Sequence, residues 1–284
     1  MRIAIIGLGL IGGSMGLALR KAKADLEVVG FARRRETASR AVELGAVDRT
    51  EGDLLAVVKG ADLVLIATPV MAMKEIMTRI RESLDEGCIV TDVASTKAQV
   101  MGWAEECLPS WVSFIGGHPM AGKETSGIEA ADADLFIGCT YCLIPGRSAT
   151  KEAIDKVEGL VRQIGAKPLF IDASEHDMLV AAVSHLPMVI SSALVSMTTK
   201  SPLWDDMSKL AATGYRDLTR LASGSPEMSR DICLTNREFI LRWIDEYSEE
   251  LEKFHHMISE GSEELDEAFL QARERREGWL GMAR

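Results

Sequence analysis

A chain of 284 residues, 47% of them hydrophobic, can bury a large core in roughly two domains of about 150 residues each, which excludes a disordered chain. A net charge of −11 disfavours nucleic acid and anionic membranes as partners, since either repels an acidic surface lacking a basic patch. Five cysteines, with Cys139 and Cys142 the only close pair and no second pair at zinc spacing, predict free thiols and no metal; with no signal-like N-terminus and no stretch of about 18 uncharged apolar residues, a cytoplasmic protein without a membrane partner is expected.

In chain order, the first element is an apolar strand, Arg2 to Ile6, that feeds directly into the G-x-G-x-x-G run Gly7-Leu8-Gly9-Leu10-Ile11-Gly12. This pattern suits a dinucleotide pyrophosphate. Gly7 permits the tight turn, Gly9 lets backbone N–H groups approach the phosphates, and Gly12 lets the next helix sit close. That helix begins near Ile11 and aims its positive end at phosphate, with Leu10 and Ile11 beside the cofactor. A second strand, Leu26 to Phe31, is followed by Ala32-Arg33-Arg34-Arg35. No acid stands there to take the ribose 2′-hydroxyl of NAD, whereas arginines offer bidentate donors to a 2′-phosphate. NADP is therefore expected, with NAD left open through Glu36 or an acid from elsewhere.

A helix over Glu36 to Leu44 precedes the strand Leu63 to Thr68, whose end places Thr68 and Pro69 at the cofactor. A helix over Ala72 to Ser83 and strands at Ile89 to Thr91, Phe114 to Gly116, Tyr141 to Ile144 and Leu169 to Ile171 continue the alternation of a parallel sheet with helical crossovers. From Ser174 the pattern is all-helical: segments 174–200, 203–222, 226–259 and 262–278 carry apolar residues at three- and four-residue spacing. The third has a wide apolar side (Ile232, Phe239, Ile240, Trp243, Ile244, Leu251) that predicts a homodimer interface. The fold class is thus α/β, a Rossmann-like dinucleotide-binding domain over 1–172 followed by an all-helical dimerisation domain over 173–284, with a cleft between them.

Four segments carry polar residues that packing alone does not require. Asp92-Val-Ala-Ser95-Thr-Lys97 follows a strand, at the edge where open α/β sheets bind ligands; Ser95 as a helix N-cap is the bland alternative. Gly116-Gly117-His118-Pro119-Met120-Ala121-Gly122-Lys123-Glu124 predicts a histidine exposed on a fixed loop, suited to general base work near neutral pH. His176-Asp177 and Ser184-His185-Leu186-Pro187 lie on the first helix of the helical half, where either histidine can face the cleft; a capping Asp177 and a buried structural imidazole are the alternatives. In Gly214-Tyr215-Arg216-Asp217-Leu218-Thr219-Arg220, two arginines four residues apart share a helical face and can receive carboxylates, or form a surface ion-pair face with Asp217.

In this order after a glycine-rich strand turn, Gly-Gly-His118-Pro-Met-Ala-Gly, Ser184-His185-Leu-Pro and Arg216-Asp-Leu-Thr-Arg220 resemble the prephenate and arogenate dehydrogenase family of tyrosine biosynthesis, over nearly the whole chain. The resemblance implies a small-molecule substrate, prephenate or arogenate. It also implies that His118 takes the proton of the ring hydroxyl, that Ser95 hydrogen-bonds near that hydroxyl and the nicotinamide, that His185, Arg216 and Arg220 line the substrate carboxylate site, and that Glu124 lies at the rim. Lys123 departs from the small hydroxyl residue common in the family at that position. A β-hydroxyacid dehydrogenase fits less well, because no Lys-x-x-x-Asn pair occurs in the second half. A non-catalytic NADP sensor needs none of Ser95, His118, His185 and Arg220.

Overall fold

The computed structural model describes residues 1–22 and 25–282. Eight strands form one sheet: β1 (Arg2–Ile6), β2 (Glu27–Phe31), β3 (Arg49–Thr50), β4 (Leu63–Ile66), β5 (Ile89–Asp92), β6 (Ser113–Pro119), β7 (Thr140–Pro145) and β8 (Lys167–Phe170), in the order β3-β2-β1-β4-β5-β6-β7-β8. Apolar residues on both sides of the central strands β1, β4 and β5 explain why these are covered twice. Ile3 and Ile5 of β1 pack on one face with Met15 and Leu19 of the helix Leu10–Lys21, while Ala4 and Ile6 pack on the other with Met73, Met77 and Ile80. Strand order reverses between β1 and β4, so the turns after these two strands flank a crevice at the carboxyl edge.

The sheet is parallel except between β6 and β7, which run antiparallel. A uniformly parallel sheet is thereby corrected. The stretch from Met120 to Cys139 carries only the short 3₁₀ turn Ile128–Ala130 and no crossover helix, so the chain returns in the opposite direction. The pairing carries β6 on to Pro119, with His118 opposite Cys142.

After β8 the described chain is helical. The first helix runs through Ala173–Val180, a π-turn at Ala181–His185, and Leu186–Thr199. Over Ala173–Thr199 it has mean hydropathy 1.9 in its most apolar window, long and apolar enough to cross a membrane by length and composition alone. This corrects the expectation that no stretch reaches that measure: the interruptions Ser184, His185 and Pro187 are polar or kinking but uncharged. Segment 203–222 divides into Trp204–Leu210, Thr213–Thr219 and a 3₁₀ turn at Arg220–Ser223, and segment 226–259 breaks at Asn236 into Pro226–Thr235 and Arg237–Glu260. By packing, the chain forms two compact units, Met1–Arg237 and Glu238–Arg284. The second contains the helix Glu264–Met282 and most of Arg237–Glu260, with Phe254 and Phe269 in contact at a ring separation of 5.5 Å.

Candidate active site

Two of the three motif glycines are dictated by close backbone approach. Gly7 has φ +101°, and a Cβ there would lie 2.4 Å from the Ala67 carbonyl oxygen; at Gly12 it would lie 2.0 Å from that of Gly7. Gly9 differs, with nothing within 4 Å of such an atom. The bare surface at Gly9 leaves room for a ligand, and the helix that starts after it has no side-chain cap on its first turn. Those N–H groups point at the same open space, which fits a dinucleotide phosphate.

A cleft of about 600 Å³ runs along this edge within the first compact unit. Gly9, Leu10 and Ile11 line it from the glycine turn, Thr68 and Pro69 from the end of β4, Ser95 from the loop after β5, and His118 from β6. His185, Arg220 and Glu124 line it too. Gly7 and Gly12 lie beneath the turn, while Ala32, Arg33, Arg34 and Arg216 do not line the cleft. Arg33 and Arg34 are exposed just beyond β2 and enter no ion pair among the described residues. Arg216 is exposed on the helix Thr213–Thr219, whereas Arg220 belongs to the following 3₁₀ turn and pairs with Glu124. Of the two arginines, only Arg220 reaches the cleft. Lys123 is occupied by Asp132, at 2.9 Å.

His118 is not exposed on a loop. It sits inside β6 and is 7% exposed, because the strand runs past Gly116 against β7. Its Nδ1 is 2.9 Å from Nε2 of His176, whose own Nδ1 is 2.8 Å from the Asp177 carboxylate. Asp177 caps a helix in another part of the chain: its oxygens accept from the backbone N–H of Lys97 at 2.7 Å and of Ala98 at 2.8 Å, at the start of Ala98–Cys107. Ser95 is therefore not the N-cap, and it lines the cleft without that duty. Burial, with help from His176, Lys97 and His185, holds the proton affinity of His118 well below the usual histidine range. The imidazole is neutral at pH 7, as a base must be.

Sequence reasoning singled out the segment Asp92 to Lys97 but gave no role to Lys97, which is fully buried and pairs with the equally buried Asp92. Lys97 Nζ donates to the Gly117 carbonyl at 2.7 Å, and the Gly117 N–H donates to Asp92 at 3.1 Å. Both the N–H and the carbonyl of the residue before His118 are thus clamped. Burial pulls the Lys97 ammonium below the ordinary lysine range, while Asp92 pushes it back up. The available signal was the pair of opposite charges five residues apart after a strand. Asn236 was missed as well: its side-chain amide donates to the Asp177 carbonyl at 2.8 Å and lies 3.0 Å from Nδ1 of His185. Burial pushes His185 down to about 4 against the opposing pulls of Asp177 and the Ser95 backbone, and no hydrogen bond of ordinary geometry reaches its Nε2.

Residues 15–169 match the nucleotide-binding domain of prephenate dehydrogenase, and residues 172–271 match its dimerization domain. The chain belongs to the prephenate dehydrogenase family. The prephenate dehydrogenase of Bacillus subtilis is 37% identical over 279 residues, which are 97% of this chain and 75% of that protein. The crystal structure of prephenate dehydrogenase from A. aeolicus in complex with hydroxyphenyl propionate and NAD+ has a TM-score of 0.91 and 30% identity over 98% of each chain. Synechocystis arogenate dehydrogenase has a TM-score of 0.83 and 29% identity, over 98% of this chain and 100% of that one. In this prephenate dehydrogenase family member the N-terminal part is thus a nicotinamide dinucleotide-binding domain.

Proposed function

We propose that the protein oxidises and decarboxylates prephenate to 4-hydroxyphenylpyruvate in tyrosine biosynthesis, with NADP as the preferred acceptor. The observation that carries this reading is a neutral histidine, His118, buried at the carboxyl edge of the sheet in a cleft that Arg220, His185 and the glycine turn share. Hydride leaves the ring carbon that bears the hydroxyl, the ring carboxylate departs as carbon dioxide, and His118 receives the hydroxyl proton. The nicotinamide ring accepts the hydride when bound. Ser95 hydrogen-bonds near the hydroxyl, while Arg220 and His185 orient the substrate carboxylates. Such positioning supplies several kcal/mol of the barrier, roughly 7–11 at best. Arg216 is a weaker candidate for this task, since it stands outside the cleft. Glu124, paired with Arg220 at the rim, must yield that arginine when a carboxylate arrives.

Arogenate is the second reading, favoured by the likeness to an arogenate dehydrogenase. Parallel steady-state assays at 340 nm separate them. Prephenate is expected to show the higher kcat/KM; turnover of neither substrate overturns both readings. With NADP, kcat/KM should exceed that with NAD, and replacing Arg33 and Arg34 by Ala should narrow the gap, each charged phosphate contact being worth roughly 10-fold to 100-fold. Equal or better turnover with NAD removes the NADP assignment.

The functional boundary is placed at 172/173, with nucleotide binding before it and substrate binding and dimerisation after it. Large apolar side chains exposed on the first helix (Leu179, Val183, Met197) and on Arg237–Glu260 (Leu241, Leu251, Ile258) support a homodimer. An obligate interface of this kind buries on the order of 2,000 Å² or more. Light scattering at micromolar concentration should give twice the chain mass, and a monomer would refute the assembly. All five cysteines are unpaired, as a reducing compartment requires, which supports a cytoplasmic location.

A further inference from the structure

We infer that two buried anchors hold the cleft histidines in opposite tautomers, His118 with a bare Nε2 and His185 with a protonated Nε2. One ring is thereby set to accept a proton, the other to donate a hydrogen bond to an anion. The roles of acceptor and donor rest on the proposed function; the tautomers rest on the hydrogen bonds of uncharged rings.

The hydrogen-bond chain that reaches His118 starts at Asp177. Its carboxylate is held by the backbone N–H groups of Lys97 and Ala98, which only donate, so it faces His176 as an acceptor. His176 Nδ1 must therefore carry the proton, and a neutral His176 has a bare Nε2. That nitrogen meets Nδ1 of His118 at 2.9 Å and can only accept, so the His118 proton sits on Nδ1. Nε2 is the ring nitrogen left to the cleft, and it is bare. Lys97, His176 and His185 all stand close enough to resist a second proton on this ring, and no carboxylate contacts it.

For His185 the starting point is Asn236. The Asp177 carbonyl only accepts, so the Asn236 atom 2.8 Å from it is the amide nitrogen. The same nitrogen lies 3.0 Å from Nδ1 of His185 and only donates, so Nδ1 must be bare. In a neutral ring the proton is then on Nε2, the buried nitrogen without a partner on a residue that lines the cleft. An unpaired buried donor is costly unless a ligand takes it up. Asp177 serves both chains, its carboxylate toward His118 and its carbonyl toward His185. His176, Asp177 and Asn236 are thus positioning residues.

The test is ¹⁵N NMR of the ring nitrogens in histidine-labelled protein near pH 7.5, without substrate, assigned by the signals lost in His118→Asn and His185→Asn. The expected spectrum shows His118 protonated at Nδ1 and His185 at Nε2. The same tautomer for both rings, or an imidazolium at either, overturns the inference. As a second arm, His176→Leu removes the acceptor for His118 Nδ1 and should lower kcat roughly 10-fold to 100-fold with KM little changed, as loss of an orienting partner does. His176→Gln, whose side-chain carbonyl can accept from Nδ1, should recover most of that loss. Equal losses in the Leu and Gln variants overturn the relay, since a merely structural role predicts no rescue by a buried amide. The expected tautomers in a protein that turns over neither prephenate nor arogenate would leave the inference standing and remove the proposed function instead.

Discussion

Replacing His118 by Asn should lower kcat for prephenate oxidation by roughly 10²–10⁴ and leave KM close to wild type. Asn keeps a hydrogen-bonding group of similar reach but cannot take the hydroxyl proton, so the loss falls on the transition state. The pH profile sharpens the expectation. Because burial and three neighbouring imidazole and ammonium groups hold His118 well below the ordinary 6.5, its acid limb should lie well under that value. As pH falls through that low limb, Nε2 gains a proton and the rate is lost; above it the base is bare and the rate is flat. In the Asn variant the limb should vanish from the residual activity. Near-normal kcat in the variant, or a wild-type limb at or above pH 6.5 that the Asn variant shares, would return His118 to a structural role.

Lys97→Met should cost about 3–5 kcal/mol of stability, because it leaves Asp92 charged and buried with only backbone donors at Ala94 and Gly117. For a unit of this size that is a fall in Tm of about 6–20 °C. Combining it with Asp92→Asn removes the stranded charge and should restore a large part of the loss. The surviving folded enzyme should also show its acid limb at higher pH than wild type, since a cation that resists protonation of His118 has gone. Calorimetry and a pH–rate profile check both outcomes. A Tm within about 2 °C of wild type would mean that Asp92 is satisfied without its cation.

Most strands that were legible in sequence are buried on both faces, where a run such as Ile3 to Ile6 needs no knowledge of its neighbours; the exposed β8 was legible from its short apolar run alone. β3 was not legible: a ladder of only Arg49 and Thr50 has no pattern of its own. Nor was the direction of β7, which depends on what the stretch from Met120 to Cys139 fails to form. The glycine turn was readable because its constraints are local, down to the bare Cα at Gly9. The buried polar residues were not, because their partners are remote in sequence: Lys97 and Asp177 stand 80 positions apart, and His185 and Asn236 stand 51 apart. His118 was found by its glycine and proline flanks, yet its burial follows from pairing that those flanks do not encode. Asn236 interrupts a helical pattern that otherwise reads continuously, and the reason for the interruption is a side chain recruited to another element.

The π-turn at Ala181–His185 decides which way His185 looks. His176 and His185 are nine positions apart, and at about 100° per residue a regular α-helix would set them about 180° apart, on opposite sides of the cylinder. The one residue absorbed by a π-turn takes back about 100° and leaves roughly 80° between them. The same residues wound as a uniform α-helix would keep a complete backbone ladder while carrying the imidazole away from the cleft. A helical wheel drawn on this stretch therefore misplaces one histidine, since the angular phase of the site is stored in how the helix winds and not in how its residues are spaced.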